Sequence, residues 1–324
     1  MYLYRSDYQD PHFNLATEEY LLKNYKQDFF LIYLNSPSVI VGKHQNTMAE
    51  INYNYIQESG IPVIRRLSGG GTVYHDPGNI NFTFIASGIS NKLSDFKKYT
   101  APVMQTMEKL GLQPEYSNRN DLLINGLKFS GNAEHIWKNR ILHHGTILFN
   151  SNLDILNESI NSKNDQFEDK AVKSVKSQVT NISPLLKDVT IQDFIEELKQ
   201  TVLGIYDHCK EFTLTERDHR EIQKLVGDKY STWKWNYGYS PAFKVKKTIT
   251  FRETPIQIEI TTKDGIISDV FFSGKIPDFS FTAIENELRG VPYTLHKISH
   301  AVRKSNIQET LPDLHKEEFI RWLF

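Results

Sequence analysis

The 324-residue chain balances 38 Lys and Arg against 39 Asp and Glu, a formal charge of −1, and is 39% hydrophobic. These values lie in the ordinary globular range; they argue against collagen-like, disordered and membrane-spanning classes and offer no basic track for a nucleic-acid backbone. The length favours one large domain and a smaller one, the lone Cys209 excludes an internal disulfide or cysteine metal cluster, and the polar N-terminus makes the cytoplasm the expected compartment.

In chain order, residues 13–25 read as a helix after a Pro-containing turn, and 29–34 and 39–41 as two short strands across an Asn-Ser-Pro-Ser turn. Residues 61–64 and 80–85 read as a second strand pair joined by the glycine-rich segment 67–78, which implies a hairpin or wide loop. A helix over 94–110, stopped at Gly111, precedes strands at 122–124, 127–129 and 146–149. The polar stretch 157–178 has few large apolar residues and is expected to be a mobile loop or lid. Thr-x-x-Asp signatures start two packing helices at Thr190 and Thr215. From Lys246 the pattern alternates as strands 248–251, 256–261 and 266–272, with Lys263-Asp264-Gly265 as a tight turn, before helices at 281–289 and 316–323. The aromatic segment 233–243 is expected to close the first core, which puts the boundary near 241–247.

Three clusters carry chemistry. Arg65-Arg66-Leu67-Ser68 followed by Gly69-Gly70-Gly71 combines backbone N–H groups that can approach an anion closely with cationic forks. It is neither a P-loop nor a dinucleotide-binding turn, so nucleotide binding would be of another type; a bare glycine triplet would be a hairpin turn, but the arginines and His75-Asp76 favour a site. Lys128, between Leu127 and Phe129, would have its stem held and its ammonium facing a pocket. His143 and His144 alternate faces on a strand and cannot chelate one metal together; one is read as pocket-lining, with a satisfied structural histidine an equal alternative.

The strings RRLSGGGTVYHDPGNINFTF, SNRNDLLINGLKFSGNA, HHGTILFN and KSVKSQVTNI follow the order and spacing seen in lipoate–protein ligases, and the whole chain resembles that family rather than the related biotin ligases. The resemblance implies an α/β (α+β) fold, a mixed sheet flanked by helices like the biotin/lipoyl ligase and class II synthetase cores. It also implies a catalytic domain over 1–245 and a small α/β accessory domain over 246–324. It implies ATP contacts from Arg66, Gly71, Thr72, Val73, Tyr74 and Lys128. Lipoate contacts would come from Arg66, Ser68, Gly69, Gly70, His75, Lys128 and His144, with Lys128 catalytic. Asp76, Asn79, Asp121, Gly145 and Lys176 would complete the cleft, and Mg²⁺ would arrive with ATP, Asp121 being a candidate contact. The implied reaction forms lipoyl-AMP and passes the acyl group to a lysine of apo lipoyl domains, in 2-oxoacid dehydrogenase E2 subunits and glycine cleavage H protein. A monomer without nucleic-acid or membrane partners is expected.

Family members commonly carry arginines where this chain has Lys176 and Gln178, so loop closure or donor preference would differ. The rival readings are an ATP-independent octanoyl or lipoyl transferase using Cys209, placed near the end of a packing helix, and a non-catalytic lipoyl-domain binding module.

Overall fold

The structure is a computed structural model that describes residues 1–87, 95–117, 120–160, 166–175, 177–274, 276, 279–307 and 314–324. The chain forms two compact units. Unit 1 comprises Met1–Lys43, Ile61–Glu158 and Ser174–Thr232; unit 2 comprises His44–Gly60, Ser159–Lys173 and Trp233–Phe324.

The chain begins with β1 (Tyr2–Arg5), α1 (Pro11–Asn24), β2 (Phe29–Leu34), β3 (Ser38–Val41), α2 (Thr47–Glu50) and α3 (Tyr53–Ser59). Then follow β4 (Val63–Arg65), β5 (Val73–His75), β6 (Asn79–Ser87), α4 (Phe96–Lys109), β7 (Glu115–Tyr116), β8 (Asp121–Ile124), β9 (Leu127–Trp137) and β10 (Arg140–Leu148). After α5 (Leu153–Ser159) and β11 (Phe167–Asp169) come α6 (Ile191–Ile205), β12 (Lys210–Glu211) and α7 (Glu216–Leu225). Strands β13 (Phe243–Phe251), β14 (Thr254–Lys263) and β15 (Ile266–Ser273) precede α8 (Thr282–Leu288), α9 (Leu295–Lys304) and α10 (Lys316–Trp322).

Unit 1 is built on an eight-stranded mixed sheet in the order β12-β1-β2-β6-β10-β9-β8-β7, parallel only between β1 and its two neighbours. Its second sheet has β3 in the middle, parallel to β4 and antiparallel to β5. Residues Asn79–Ala86 of β6 are all buried, as expected of a strand covered on both faces. Phe30, Phe82, Phe84, Phe129 and Ile141 pack with Val103 and Met107 of α4 and Phe194, Leu198 and Val202 of α6. Helix α1 starts where Asp10 caps the His12 N–H and Pro11 presets the first turn. Eleven of its fourteen residues are buried, two of them the carboxylates Glu18 and Glu19.

Unit 2 carries the sheet β11-β13-β14-β15. Alternation buries Ile256, Ile258 and Ile260 of β14; on β15, where the pairing register shifts opposite Thr261 and Thr262, Ile267, Val270 and Phe272 are buried, and Phe272 packs against Phe319 of α10. Positive φ at Arg252 and Glu253, and at Asp264 and Gly265, closes the two tight hairpins. The Trp233 ring lies so close to Gly265 that a Cβ there would sit 2.7 Å from it.

Several expected elements differ. Residues 61–64 and 80–85 do not form a hairpin: β4 and β6 lie in different sheets, because Val73–His75 within the glycine-rich segment pairs with β3 instead. The expected strand at 146–149 is the end of a nine-residue β10, hydrogen-bonded on one side to a polar β9 that hydrophobicity alone does not mark. The stretch 157–178 is not a plain loop. It includes the end of α5 and the edge strand β11, whose Phe167 packs on Phe243, while 161–165 and Lys176 lie outside the described residues. The aromatic segment 233–243 joins unit 2 rather than closing the first core, since the bare Gly265 admits the Trp233 ring there. Both Thr-x-x-Asp signatures form full capping boxes. Among the described residues, no helix is long and apolar enough to cross a membrane.

Arg140 ties β10 to the end of α1. Its Nη1 donates to the carbonyls of Leu21 and Leu22 at 3.2 and 2.8 Å and to that of Tyr25, and its Nε donates to Ser87 Oγ at 3.1 Å. A cation on the last helical carbonyls satisfies them and opposes the helix dipole. Arg140→Met, which keeps the stem, is expected to lower unit 1 stability by about 2–3 kcal/mol, read as a lower urea midpoint; an unchanged midpoint would show these bonds to be energetically idle.

Candidate functional site

Residues 66–72 run from β4 to β5 as a loop shaped by arginine. Fully buried Arg65 donates through Nη1 to the carbonyls of Gly42 and Lys43 at 2.9 and 3.0 Å. Arg66 donates from Nη1 to the Ile40 carbonyl at 3.2 Å and from Nη2 to the carbonyls of Gly69 and Gly71 at 2.6 and 2.7 Å. Burial pulls its guanidinium down to about 10, with Glu18 and Tyr33 opposing, so it remains a cation at neutral pH. With carbonyls 69 and 71 facing the guanidinium, the trans peptides turn the N–H groups of Gly70 and Thr72 the other way. Thr72 N–H reaches Ser174 Oγ at 2.9 Å. Gly70 has φ +83°, and a Cβ on it would sit 3.0 Å from Arg66 Nη2, so the position requires glycine.

Ser68 links this loop to the sheet. Its Oγ accepts from Arg66 Nε at 2.9 Å and lies 2.6 Å from His144 Nε2 on β10. On the far side of the ring, Nδ1 is 3.0 Å from Glu18 Oε2. A carboxylate only accepts, so Nδ1 carries hydrogen; in the neutral ring Nε2 then accepts from the Ser68 hydroxyl. Glu18 also accepts from Tyr33 Oη at 2.9 Å and from Thr83 Oγ1. His143 points to the opposite face, 2.7 Å from Glu134, as strand alternation requires. Burial draws its pKa down and Glu134 opposes.

His75 ends β5 close enough to Arg66 and His144 to feel both. Asn14 Nδ2 donates to Asn35 Oδ1 at 2.9 Å, so the Asn35 amide nitrogen faces His75 Nδ1 at 2.9 Å and donates to it. Hydrogen must then sit on His75 Nε2, a buried donor with no acceptor among the described residues. Burial first, then the Arg66 charge, pushes this imidazole down to about 3. A neutral N–H donor beside a cation is suited to an oxygen ligand.

Lys128 Nζ lies 2.8 Å from Asp121 Oδ1, with both side chains a fifth to a quarter exposed. Gly131 makes room for it: a Cβ there would sit 3.0 Å from Lys128 Cε and Nζ. The lysine backbone is held by the chain that follows Ser174, donating to the Gln178 carbonyl at 3.0 Å and accepting from Thr180 N–H at 2.9 Å. The same segment therefore touches the glycine loop at one end and Lys128 at the other.

The remaining expected residues divide. Asp76 accepts from Gly78 N–H, Ser151 Oγ and Asn152 N–H at 2.7–2.9 Å, which pins the turn after β5 to the end of β10. Asn79 donates to Asn81 at 3.0 Å and leaves a buried Oδ1 without partner among the described residues. Gly145 is a packing requirement, since a Cβ would fall 2.2 Å from Asn132 Oδ1 and 2.5 Å from the Phe82 ring. Val73 and Tyr74 lie in β5, Tyr74 fully buried. Cys209 lies beyond the end of α6 at Ile205 rather than within it, and burial raises its thiol, the reverse of activation. Sequence reasoning missed Glu18, Tyr33, Thr83, Asn14 and Asn35. The available signal was an acidic pair inside an otherwise apolar helical stretch, because buried carboxylates are kept only where partnered.

No group of three or more His, Cys, Asp or Glu among the described residues could hold a metal. Asp121 offers one carboxylate, which suits a Mg²⁺ carried largely by phosphates rather than caged by protein.

His75 makes stability depend on pH with a defined sign. The folded ring stays neutral down to about pH 3, whereas an unfolded histidine titrates near about 6.5. The folded state binds fewer protons between these limits. The contribution is complete above pH 6.5 and is lost toward 3, at about 1.4 kcal/mol per pH unit. His75→Gln is expected to flatten the decline of the urea midpoint between about pH 6.5 and 4.5; equal slopes would remove His75 as its source.

Comparison with known proteins places this geometry. The family model for the lipoyl protein ligase A/B catalytic domain matches residues 10–203, and that for the bacterial lipoate protein ligase C-terminus matches 240–323. The lipoate-protein ligase LplJ of Bacillus subtilis (strain 168) is 38% identical over the full length of both chains. A bipartite lipoate protein ligase from Thermoplasma acidophilum, studied with its E2 lipoyl domain, is 25% identical with TM-score 0.64, covering 73% of this chain and 96% of its own. A lipoate-protein ligase A structure bound with ATP is 25% identical with TM-score 0.61, covering 74% and 97%. The matches to both family models, with a relative 38% identical over the full length of both chains, show that the chain belongs to the lipoate–protein ligase family of enzymes.

Proposed function

We propose that this ligase first joins lipoate to AMP at the expense of ATP and then passes the lipoyl group to a lysine of an apo lipoyl domain. The observation that supports the reading is that Ser174 meets the Arg66-clasped glycine loop while Gln178 and Thr180 meet Lys128, and in this reading the two cationic groups share one cleft. Attack of a carboxylate on the α-phosphate brings two anions together, and its main requirement is fixed positive charge and N–H donors around the phosphoryl group. In this reading Arg66, Gly71, Thr72, Val73, Tyr74 and Lys128 face the nucleotide. Arg66, Ser68, Gly69, Gly70, His75, Lys128 and His144 face lipoate, and the His75 Nε2–H, without an acceptor among the described residues, accommodates one of its acceptor atoms. Lys128 lies between carboxylate and phosphate, and Asp121 is the chain's contact for Mg²⁺ arriving with ATP.

The carboxylate oxygen forms its bond to phosphorus as the bond to pyrophosphate breaks. The acceptor lysine then attacks the acyl carbon and AMP leaves. A mixed anhydride is reactive enough for this without an enzyme nucleophile, which agrees with a raised thiol at Cys209. Exclusion of water is the remaining need, and in this reading the polar stretch 157–181, whose residues 161–165 and 176 lie outside the described residues, would supply it. Residues 1–245 would carry the chemistry, with 246–324 as an accessory domain; the separate family model over 240–323 supports that division. E2 subunits and glycine cleavage H protein are the proposed acceptors, the enzyme acting as a cytoplasmic monomer. The Thermoplasma ligase studied with its E2 lipoyl domain supports the first of them.

Mass spectrometry of an apo lipoyl domain incubated with the enzyme, lipoate and Mg²⁺ tests the reading: a lipoyl mass gain is expected only with ATP. A gain that needs a pre-acylated donor domain and no ATP would replace it with a transferase. Lys128→Ala is expected to slow adenylate formation by about 10²–10³, and Cys209→Ala to leave ligation unchanged. Normal ligation by the lysine variant would remove Lys128 from the chemistry.

A further inference from the structure

Glu18 is a buried carboxylate for which the chemistry above has no task. It lies 1% exposed on α1, accepts from Tyr33 Oη and Thr83 Oγ1 through Oε1, and meets His144 Nδ1 through both oxygens, Oε2 at 3.0 Å and Oε1 at 3.1 Å. From there a single line of hydrogen bonds leads through His144 Nε2 and Ser68 Oγ, 2.6 Å apart, to Arg66 Nε at 2.9 Å, and through Arg66 Nη2 to the carbonyls of Gly69 and Gly71.

With a neutral imidazole at His144 the direction of each bond follows: Glu18 accepts, so His144 donates from Nδ1; Arg66 can only donate, so Ser68 accepts from it and gives its own hydrogen to His144 Nε2. We propose that Glu18 is a positioning residue for the adenylate-forming step: it sets the His144 tautomer and, through Ser68, the aim of the Arg66 guanidinium and the glycine loop. The proposal rests on the two-step ligase reading and deepens it.

Glu18→Gln reverses the line while keeping its shape. The amide oxygen stays with Tyr33 and Thr83 in the place of Oε1, so the amide nitrogen takes the place of Oε2, the nearer to His144 Nδ1, and its hydrogen there excludes one on Nδ1. His144 then carries hydrogen on Nε2, where it competes with Arg66 Nε for the Ser68 oxygen. Among the described residues, the displaced Ser68 hydrogen finds the Gly69 carbonyl, 3.4 Å away. Loss of a carboxylate that merely fills space would change neither the tautomer nor the turnover of folded enzyme.

The test uses the full chain labelled with ¹⁵N-histidine, with the His144 signals assigned by their loss in His144→Gln. Wild type is expected to show hydrogen on Nδ1, and Glu18→Gln hydrogen on Nε2. Pyrophosphate exchange with lipoate and ATP is expected to show a kcat about tenfold lower in Glu18→Gln, with the KM for ATP little changed. Because Glu18 acts through Ser68, adding Glu18→Gln to Ser68→Ala is expected to cause no further loss. An unchanged tautomer in Glu18→Gln, an unchanged kcat despite a reversed tautomer, or additive losses in the double variant would each overturn the proposal. Absence of lipoate-dependent exchange in wild type would instead overturn the two-step ligase reading, and with it the adenylation role given to Glu18, while the tautomer would still decide the direction of the hydrogen-bond line.

Discussion

Burying the Arg66 guanidinium obliges the surrounding chain to supply acceptors for its N–H groups, and the carbonyls of Ile40, Gly69 and Gly71 with the Ser68 hydroxyl do so. Much of the loop follows from that obligation. Two carbonyls of the loop must turn toward one planar fork, which drives Gly70 to positive φ and leaves a Cβ there only 3.0 Å from Nη2. An unpaired guanidinium at this depth would cost several kcal/mol, so the loop, the Ser68 rotamer and the approach of β3 at Ile40 form one constrained object.

A counter-ion reaches this cation indirectly. Glu18 raises the guanidinium's affinity for its proton while burial lowers it, and the two are separated by a serine and a histidine rather than joined in a direct salt bridge. In a medium of low polarity such a line is expensive to leave incomplete and specific when complete. It connects the central helix α1, strands β2, β6 and β10, and the glycine loop of unit 1, so the arrangement of the site is tied to the packing of the sheet.

Transfer of an acyl group by way of its adenylate asks little of covalent catalysis and much of electrostatic preorganisation. On the two-step reading the site would match that demand: cations and peptide dipoles are fixed in advance, burial and the Arg66 charge draw His75 down to about 3, and burial pushes up the Cys209 thiol beyond the end of α6. Neutral His75 presents a donor without adding charge beside Arg66, which a protonated ring could not do.

The glycine at position 70 and the two capping threonines were legible in the chain because each acts through local chemistry: a φ only glycine adopts freely and a cap three residues long. The alternation of His143 and His144 followed from strand geometry alone. Glu18, Tyr33, Thr83 and Asn35 were not legible, since they matter only through partners 15 to 126 positions away. The sequence by itself therefore determined the residue types, the family and the chemistry they permit. Tertiary structure alone decided that Arg66 spends its donors on the loop, that Asp76 secures a turn, and which ring nitrogens carry hydrogen, because hydrogen-bond direction depends on every member of a network at once.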